Sequence, residues 1–222
     1  MRRSTIERTL LVAAVACATD AALSRSAAQQ NGVTITFLAN EGVLLTSGNR
    51  KVLIDALFQE YGREYALPAD STRRALDAAS APFDAVDLVL ATHRHGDHFH
   101  PAQVAAHMRA NPRATLLTSQ QVIDSLSGRV PANDQVRARF LSRTTAAGAR
   151  RIEVVNGIKV ELLGLPHGGH PGVEHLGYIV ELGGRRVLHV GDTDFAEDTF
   201  APLRLDTARI DVALLPYGAV VN

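Results

Sequence analysis

From residue 33 onward the chain is a succession of short apolar runs broken by turn residues, and the period of each run sets the element it predicts. Residues 33–38 (VTITFL), 42–46 and 51–55 read as three β-strands, the last two joined by Ser47-Gly48-Asn49, which makes an antiparallel meander. The polar, Ala-rich stretch 70–80 predicts a helix with Asp70 or Ser71 as its N-cap. Residues 87–92 (DLVLAT) are apolar on both faces, the mark of a central strand. A helix over 101–110, with Pro101 at its first position, a strand over 114–118 and a helix over 119–126 follow. Residues 127–150 are polar, rich in Arg and Ala, and carry no readable period. Strand patterning resumes at Ile152, where Asn156-Gly157 between IEVV and IKVELLGL is a strong hairpin signal. Gly183-Gly184 joins runs 176–182 and 185–190, and 210–215 reads as a last buried strand. Strands, helix, strand, helix and strands again predict an α/β fold of two sheets between helices, with antiparallel character and a shorter second half.

Composition narrows the class. The 222 residues are 46% hydrophobic and 21% charged, ordinary values that argue against a disordered chain. With 23 basic and 23 acidic side chains and no basic run, the chain offers no electrostatic footprint for nucleic acid. No stretch reaches the ~18–20 continuous apolar residues of a membrane-spanning helix, and the single Cys17 excludes an intrachain disulfide or a thiolate metal cage. Residues 1–28 have the layout of an export signal: a basic start with Arg2-Arg3, an apolar run over 10–18, and a small-residue cleavage site at Ser26-Ala27-Ala28. The expectation is a periplasmic or secreted protein exported by a general or twin-arginine route, its mature domain spanning 29–222. Lipid anchoring through Cys17 is a poor match, because the usual Leu before the cleavage box is absent.

Histidine is the unusual component. Four of the nine lie between 93 and 100, in His93-Arg94-His95-Gly96-Asp97-His98-Phe99-His100. After an extended strand, His93 and His95 project to one side, and Gly96 permits a sharp turn that aims Asp97 and His98 at a nearby point. Imidazole and carboxylate suit Zn2+, with Mn2+ or Fe2+ as alternatives, so these residues predict a compact site for one or two divalent cations.

Residues 92–98 (THRHGDH) resemble the HxHxDH signature of the metallo-β-lactamase fold superfamily. Leu165-Pro166-His167-Gly168, after a hairpin, resembles the site of the next family histidine, and Gly191-Asp192-Thr193, after RRVLHV, resembles the family's GDT turn. The likeness runs over residues 33–217 and is greatest to the generic metal-dependent hydrolases rather than the antibiotic-destroying branch. It implies an αββα sandwich. It also implies that His93, His95 and His167 hold one metal, Asp97 and His98 a second, and Asp192 bridges both. Asp55, closing the third strand, stands where the family often carries an acid that steadies the metal loop. The family's last His ligand has no counterpart, since no His follows His189, so the resemblance implies an incomplete C-terminal half.

The other histidines carry plainer expectations. His170 and His175 compete with His167, which is preferred because it follows its strand directly. His100 and His107 are expected to cap or to lie on the surface, His189 to pack beside the site, and Asp194 and Asp198 to be solvated. A divalent cation with an open position brings the pKa of its water to about 7, and no Ser nucleophile elbow or dinucleotide turn competes with that chemistry. The expected activity is hydrolysis of an ester, lactone or phosphodiester bond in a small-molecule substrate by metal-bound hydroxide, with Asp97 orienting it and taking a proton. The alternative is a truncated, inactive metal-binding remnant. Residues 56–85 and 127–150 are the expected pocket walls; oligomeric state is not legible.

Overall fold

The computed structural model describes residues 32–216 apart from 60, 61, 63, 64 and 197. The export-signal reading of 1–28, Cys17 included, lies outside the described residues. Strands β1 (Thr34–Ala39), β2 (Gly42–Ser47) and β3 (Arg50–Ile54) form the antiparallel meander the sequence predicts. Strands β4 (Leu88–Leu90), β5 (Thr115–Thr118) and β6 (Phe140–Ser142) then add in parallel, giving a six-stranded sheet in the order β1-β2-β3-β4-β5-β6. Parallel neighbours need crossovers. Helices α1 (Asp70–Asp77), α2 (Pro101–Ala110) and α3 (Gln120–Ser125) lie in them.

The second sheet has the order β11-β10-β9-β8-β7, built from β7 (Arg150–Val155), β8 (Ile158–Gly164), β9 (Leu176–Leu182), β10 (Arg185–His189) and β11 (Val212–Leu214). Its pairing is antiparallel except for β10 with β11.

Alternation along β2 and β3 explains why their sequences are almost continuously apolar. Leu44 and Leu53 face α1 and α2, packing with Leu76, Val104 and Met108. Val43, Leu45, Val52 and Ile54 face the other sheet and meet Val160, Leu162, Tyr178 and Val180. A strand covered on both faces has no polar side to alternate with. On the far face of the second sheet, Ile179, Leu188 and Val190 pack under Leu203 and Ala208, from a region of two short 3₁₀ turns, Ala201–Leu203 and Leu205–Thr207. Among the described residues the α-helices therefore flank only the first sheet of the sandwich.

Three local expectations are corrected and one unassigned stretch gains its structure. Helix α1 stops at Asp77 and its N-cap is Ala69, with no side-chain cap, because the Asp70 carboxylate is engaged by Arg73 instead of by backbone N–H groups. Within 127–150 the chain forms a 3₁₀ turn, Gln135–Arg139, and β6; Arg139 donates to the carbonyls of Met108, Asn111 and Ala114, contacts that leave no periodic trace. Strand β7 starts at Arg150, two residues before the apolar run. Strand β11 is half-exposed rather than buried, since among the described residues it pairs only with β10, and Val212 is 37% exposed.

Strands β4, β8 and β10 all deliver their C-terminal ends to one rim of the sandwich, where the β1–β2 turn also lies. The Tyr178 hydroxyl of β9 donates to Ala91 O at 2.8 Å, tying the second sheet to the residue that opens the His-rich loop.

Candidate metal centre

Asp55, at the end of β3, organises the loop that follows β4. Its Oδ1 accepts from Thr92 N at 2.7 Å, and its Oδ2 accepts from Thr92 Oγ1 at 2.7 Å and from His98 Nδ1 at 2.9 Å. The residue is fully buried and adopts φ +47, an uncommon conformation that these three bonds over-determine. Burial would raise the Asp55 carboxyl, but the His98 bond and charge outweigh it and hold it below the ordinary carboxylate value.

The bonds fix tautomers. Thr92 gives its only hydroxyl proton to Asp55, so its oxygen accepts from His93 Nδ1 at 3.0 Å. His167 Nδ1 donates to Gly168 O at 2.7 Å. In their neutral forms both rings are thereby left with unprotonated Nε2 atoms, and these face each other at 3.2 Å. Two lone pairs so placed repel each other unless a cation lies between them. Asp192 Oδ2 stands 3.9 Å from each of these nitrogens. His93, His95, His167 and Asp192 each offer a ligand atom, all within 4.8 Å of one another. A three-imidazole, one-carboxylate set fits a divalent transition metal.

The remaining expected ligands form a neighbouring group. His98 donates through Nδ1 to Asp55, and its Nε2 lies 3.3 Å from Asp192 Oδ2 and 3.5 Å from Asp97 Oδ2. It makes no well-directed hydrogen bond to either oxygen and is 1% exposed. The same Asp192 oxygen thus reaches both groups. Asp97 is buried and touches only the His98 side, outside the His93 foursome.

The other histidines separate cleanly. His170 lies edge-on to both His95 and His167 with ring centroids 5.1 Å apart, beyond the foursome. His175 is buried near His93 and His167 with neither ring nitrogen hydrogen-bonded. His189 is tied through Nε2 to Glu41 O at 2.9 Å and through Nδ1 to Gly191 N at 3.3 Å, the packing role expected. His100 takes the N-cap position of α2 without a side-chain cap bond. His107 corrects the surface expectation: it is fully buried, and its Nδ1 bonds Leu76 O at 2.6 Å, joining α2 to α1. Asp194 and Asp198 are exposed. Sequence reasoning missed Glu41, in the β1–β2 turn, which offers a ligand atom beside His98 and Asp192; an acid in a two-residue turn gave no signal.

Burial pushes His93 far below the ordinary imidazole value and lowers His175 to about 3, so both are neutral. Burial likewise drives the Glu41 carboxyl up to about 8. Burial also pushes Asp192 up, but the His98 ring beside it, with the charges of the neighbouring imidazoles, prevails and brings it down to about 2. His98 moves the other way: burial lowers it, but the carboxylates of Asp192, Asp55 and Asp97 around it, Asp55 through a hydrogen bond, raise it well above 6.5.

The model of the beta-lactamase superfamily domain matches residues 50–222. This chain belongs to the beta-lactamase superfamily. Among curated relatives, the UPF0173 metal-dependent hydrolase of Thermus thermophilus is 27% identical over 187 residues, covering 84% of this chain and 71% of that protein. The Pyrococcus furiosus member is 27% identical over 189 residues, covering 84% and 72%. A solved Parabacteroides distasonis structure named for metal-dependent hydrolysis superposes with a TM-score of 0.52 at 20% identity, covering 75% of this chain and 63% of that one. CmlA, a diiron β-hydroxylase from Streptomyces venezuelae, superposes at 0.53 with 15% identity, covering 82% of this chain and 34% of its own. These two likenesses concern the fold, and a fold alone does not assign a reaction.

Proposed function

We propose that the protein is a hydrolase that depends on a divalent metal and cleaves an ester, lactone or phosphodiester bond in a small-molecule substrate. The observation that carries it is the convergence of the Nε2 atoms of His93 and His167 at 3.2 Å while the Nδ1 of each ring is engaged by another partner, so that in the neutral rings two lone pairs face one point. Metal-dependent hydrolysis is also what the curated relatives are named for. His93, His95, His167 and Asp192 would hold one ion and Asp97 with His98 a second, with Zn2+ the first choice and Mn2+ or Fe2+ the alternatives. Such an ion supplies Lewis acidity and brings the pKa of its water to about 7.

The chain's own residues do the rest. Asp55 and Thr92 keep the His93 and His98 rings in orientation. Asp97, buried 3.5 Å from His98 Nε2, is placed to orient the attacking water and take its proton. A cavity of about 320 Å3 opens beside His167 and His175, walled by Ser119, Thr144, Thr145 and Pro171, and this volume suits a small molecule. Of the two expected pocket walls, the 127–150 segment lines this cavity through Thr144, Thr145 and Ala147, whereas no described residue of 56–85 does.

The test is metal content of the purified protein, followed by hydrolysis of a panel of lactones, esters and phosphodiesters before and after chelation. Activity lost on chelation and restored by metal supports the reading. Binding below about a tenth of an equivalent of any transition metal after remetallation rejects it. Tight binding without turnover on any panel member favours the metal-binding, non-catalytic alternative.

A further inference from the structure

We infer that Glu41 is a ligand of the second cation site, completing a set with His98, Asp192 and Asp97. The inference rests on the metal-dependent reading above. Glu41, His98 and Asp192 each present a ligand atom, and the three atoms lie within 4.8 Å of one another. The His98 imidazole is 1% exposed, and its Nε2 has no hydrogen-bond partner although two carboxylates stand at 3.3 and 3.5 Å. With Nδ1 bonded to Asp55, Nε2 is the only ring atom left to coordinate, and it is aimed at the space these carboxylates surround.

The backbone holds Glu41 there. Asn40 Nδ2 donates to Asp97 O at 3.1 Å, so the turn is tied to the His-rich loop. His189 Nε2 donates to Glu41 O at 2.9 Å, tying it to the strand that leads to Asp192. At Gly42 an added Cβ would lie 2.8 Å from Asp55 O, so the turn sits directly against the end of β3. A turn fastened to three loops of the centre places its one acidic side chain by construction rather than by chance.

A competing trio, Glu41 with Asp55 and His189, also falls within 4.8 Å. Its members are already committed: both Asp55 oxygens accept hydrogen bonds, and both His189 ring nitrogens are bonded. His98 and Asp192 are therefore the partners available to Glu41. A hard carboxylate added to a site that contains one imidazole also favours an oxygen-preferring ion in that position over the His-rich one.

The experiment titrates the chelator-stripped 222-residue protein with Zn2+ and with Co2+, reading stoichiometry by calorimetry and by elemental analysis, and the Co2+ visible spectrum in parallel. The wild type is expected to bind two ions in separable steps. Glu41→Gln should keep the first step and its Co2+ spectrum and weaken the second at least about tenfold, whereas Glu41→Asp recovers part of the loss. Melting temperatures of the metal-free proteins check that Glu41→Gln is folded; if it is not, the comparison passes to Glu41→Asp, for which an unchanged second step overturns the inference. Two ions bound by Glu41→Gln with wild-type affinity overturn it as well, leaving the hydrolase reading intact. A wild type that binds one ion removes the second site and this inference with it, and a wild type that binds none removes the hydrolase reading too.

Discussion

His175 shows at the residue scale how burial becomes pH dependence. It is buried against the centre, neither ring nitrogen is hydrogen-bonded, and burial lowers its pKa from 6.5 to about 3. Between those values the unfolded chain binds a proton that the folded chain refuses, so folding stability rises with pH in this window. The contribution is complete above 6.5 and is lost as pH falls toward 3, at about 1.4 kcal/mol per pH unit for one such group. Urea unfolding of the metal-free protein from pH 7 to 4 should show this slope, and His175→Leu should reduce it by about one proton's worth; an unchanged slope would refute the assignment. The HxHxDH stretch was legible at this scale because its ligands lie within six residues of one another. Glu41 was not, since a lone turn acid reads as solvated, and neither was the burial of His107, whose carbonyl partner Leu76 lies 31 residues away.

Elements carry the ligands to one rim, and their ends are tightly fitted. The turn after β10 places Gly191 at φ +57, where a Cβ would stand 2.7 Å from His175 Nε2 and 2.8 Å from Thr92 Oγ1. Gly191→Ala therefore faces both backbone strain and a clash with the residue that orients His93. It is expected to cost about 1–3 kcal/mol of stability and to weaken Zn2+ binding, because the same turn presents Asp192; denaturant unfolding and a Zn2+ titration would measure both. Strands β1 to β4 and β7 to β10 were readable from their short apolar runs and the turn residues between them, Asn156-Gly157 above all. The three-residue β6 was not. It is too short for a period to declare itself, and the carbonyls that hold Arg139 beside it come from α2 and the segment before β5.

At the scale of the whole molecule the two sheets are joined mainly by apolar packing, with Tyr178 as a polar tie. Its hydroxyl donates to Ala91 O at 2.8 Å, directly before Thr92 and His93, and it is 0% exposed. Ala91 O keeps a second donor, Thr118 Oγ1 at 2.7 Å. Tyr178→Phe should accordingly cost only about 1 kcal/mol, a fall in Tm of about 2–4 °C, read by thermal unfolding of the metal-free protein. An unchanged Tm would show that the Tyr178 hydroxyl contributes nothing. No described helix is long and apolar enough to cross a membrane.

The chain's own order of residues determined the strand runs, the helix starting at Pro101, and a cluster of imidazole and carboxylate at the end of a buried strand. Those are local properties, set by spacings of two to four residues that any reader of the sequence can count. Tertiary structure alone decided that His93 and His167, 74 residues apart, face each other at 3.2 Å, and that Glu41 joins His98 and Asp192. Such meetings depend on the order and register of strands in two sheets, which hydrophobic packing selects over the whole chain and no local period encodes.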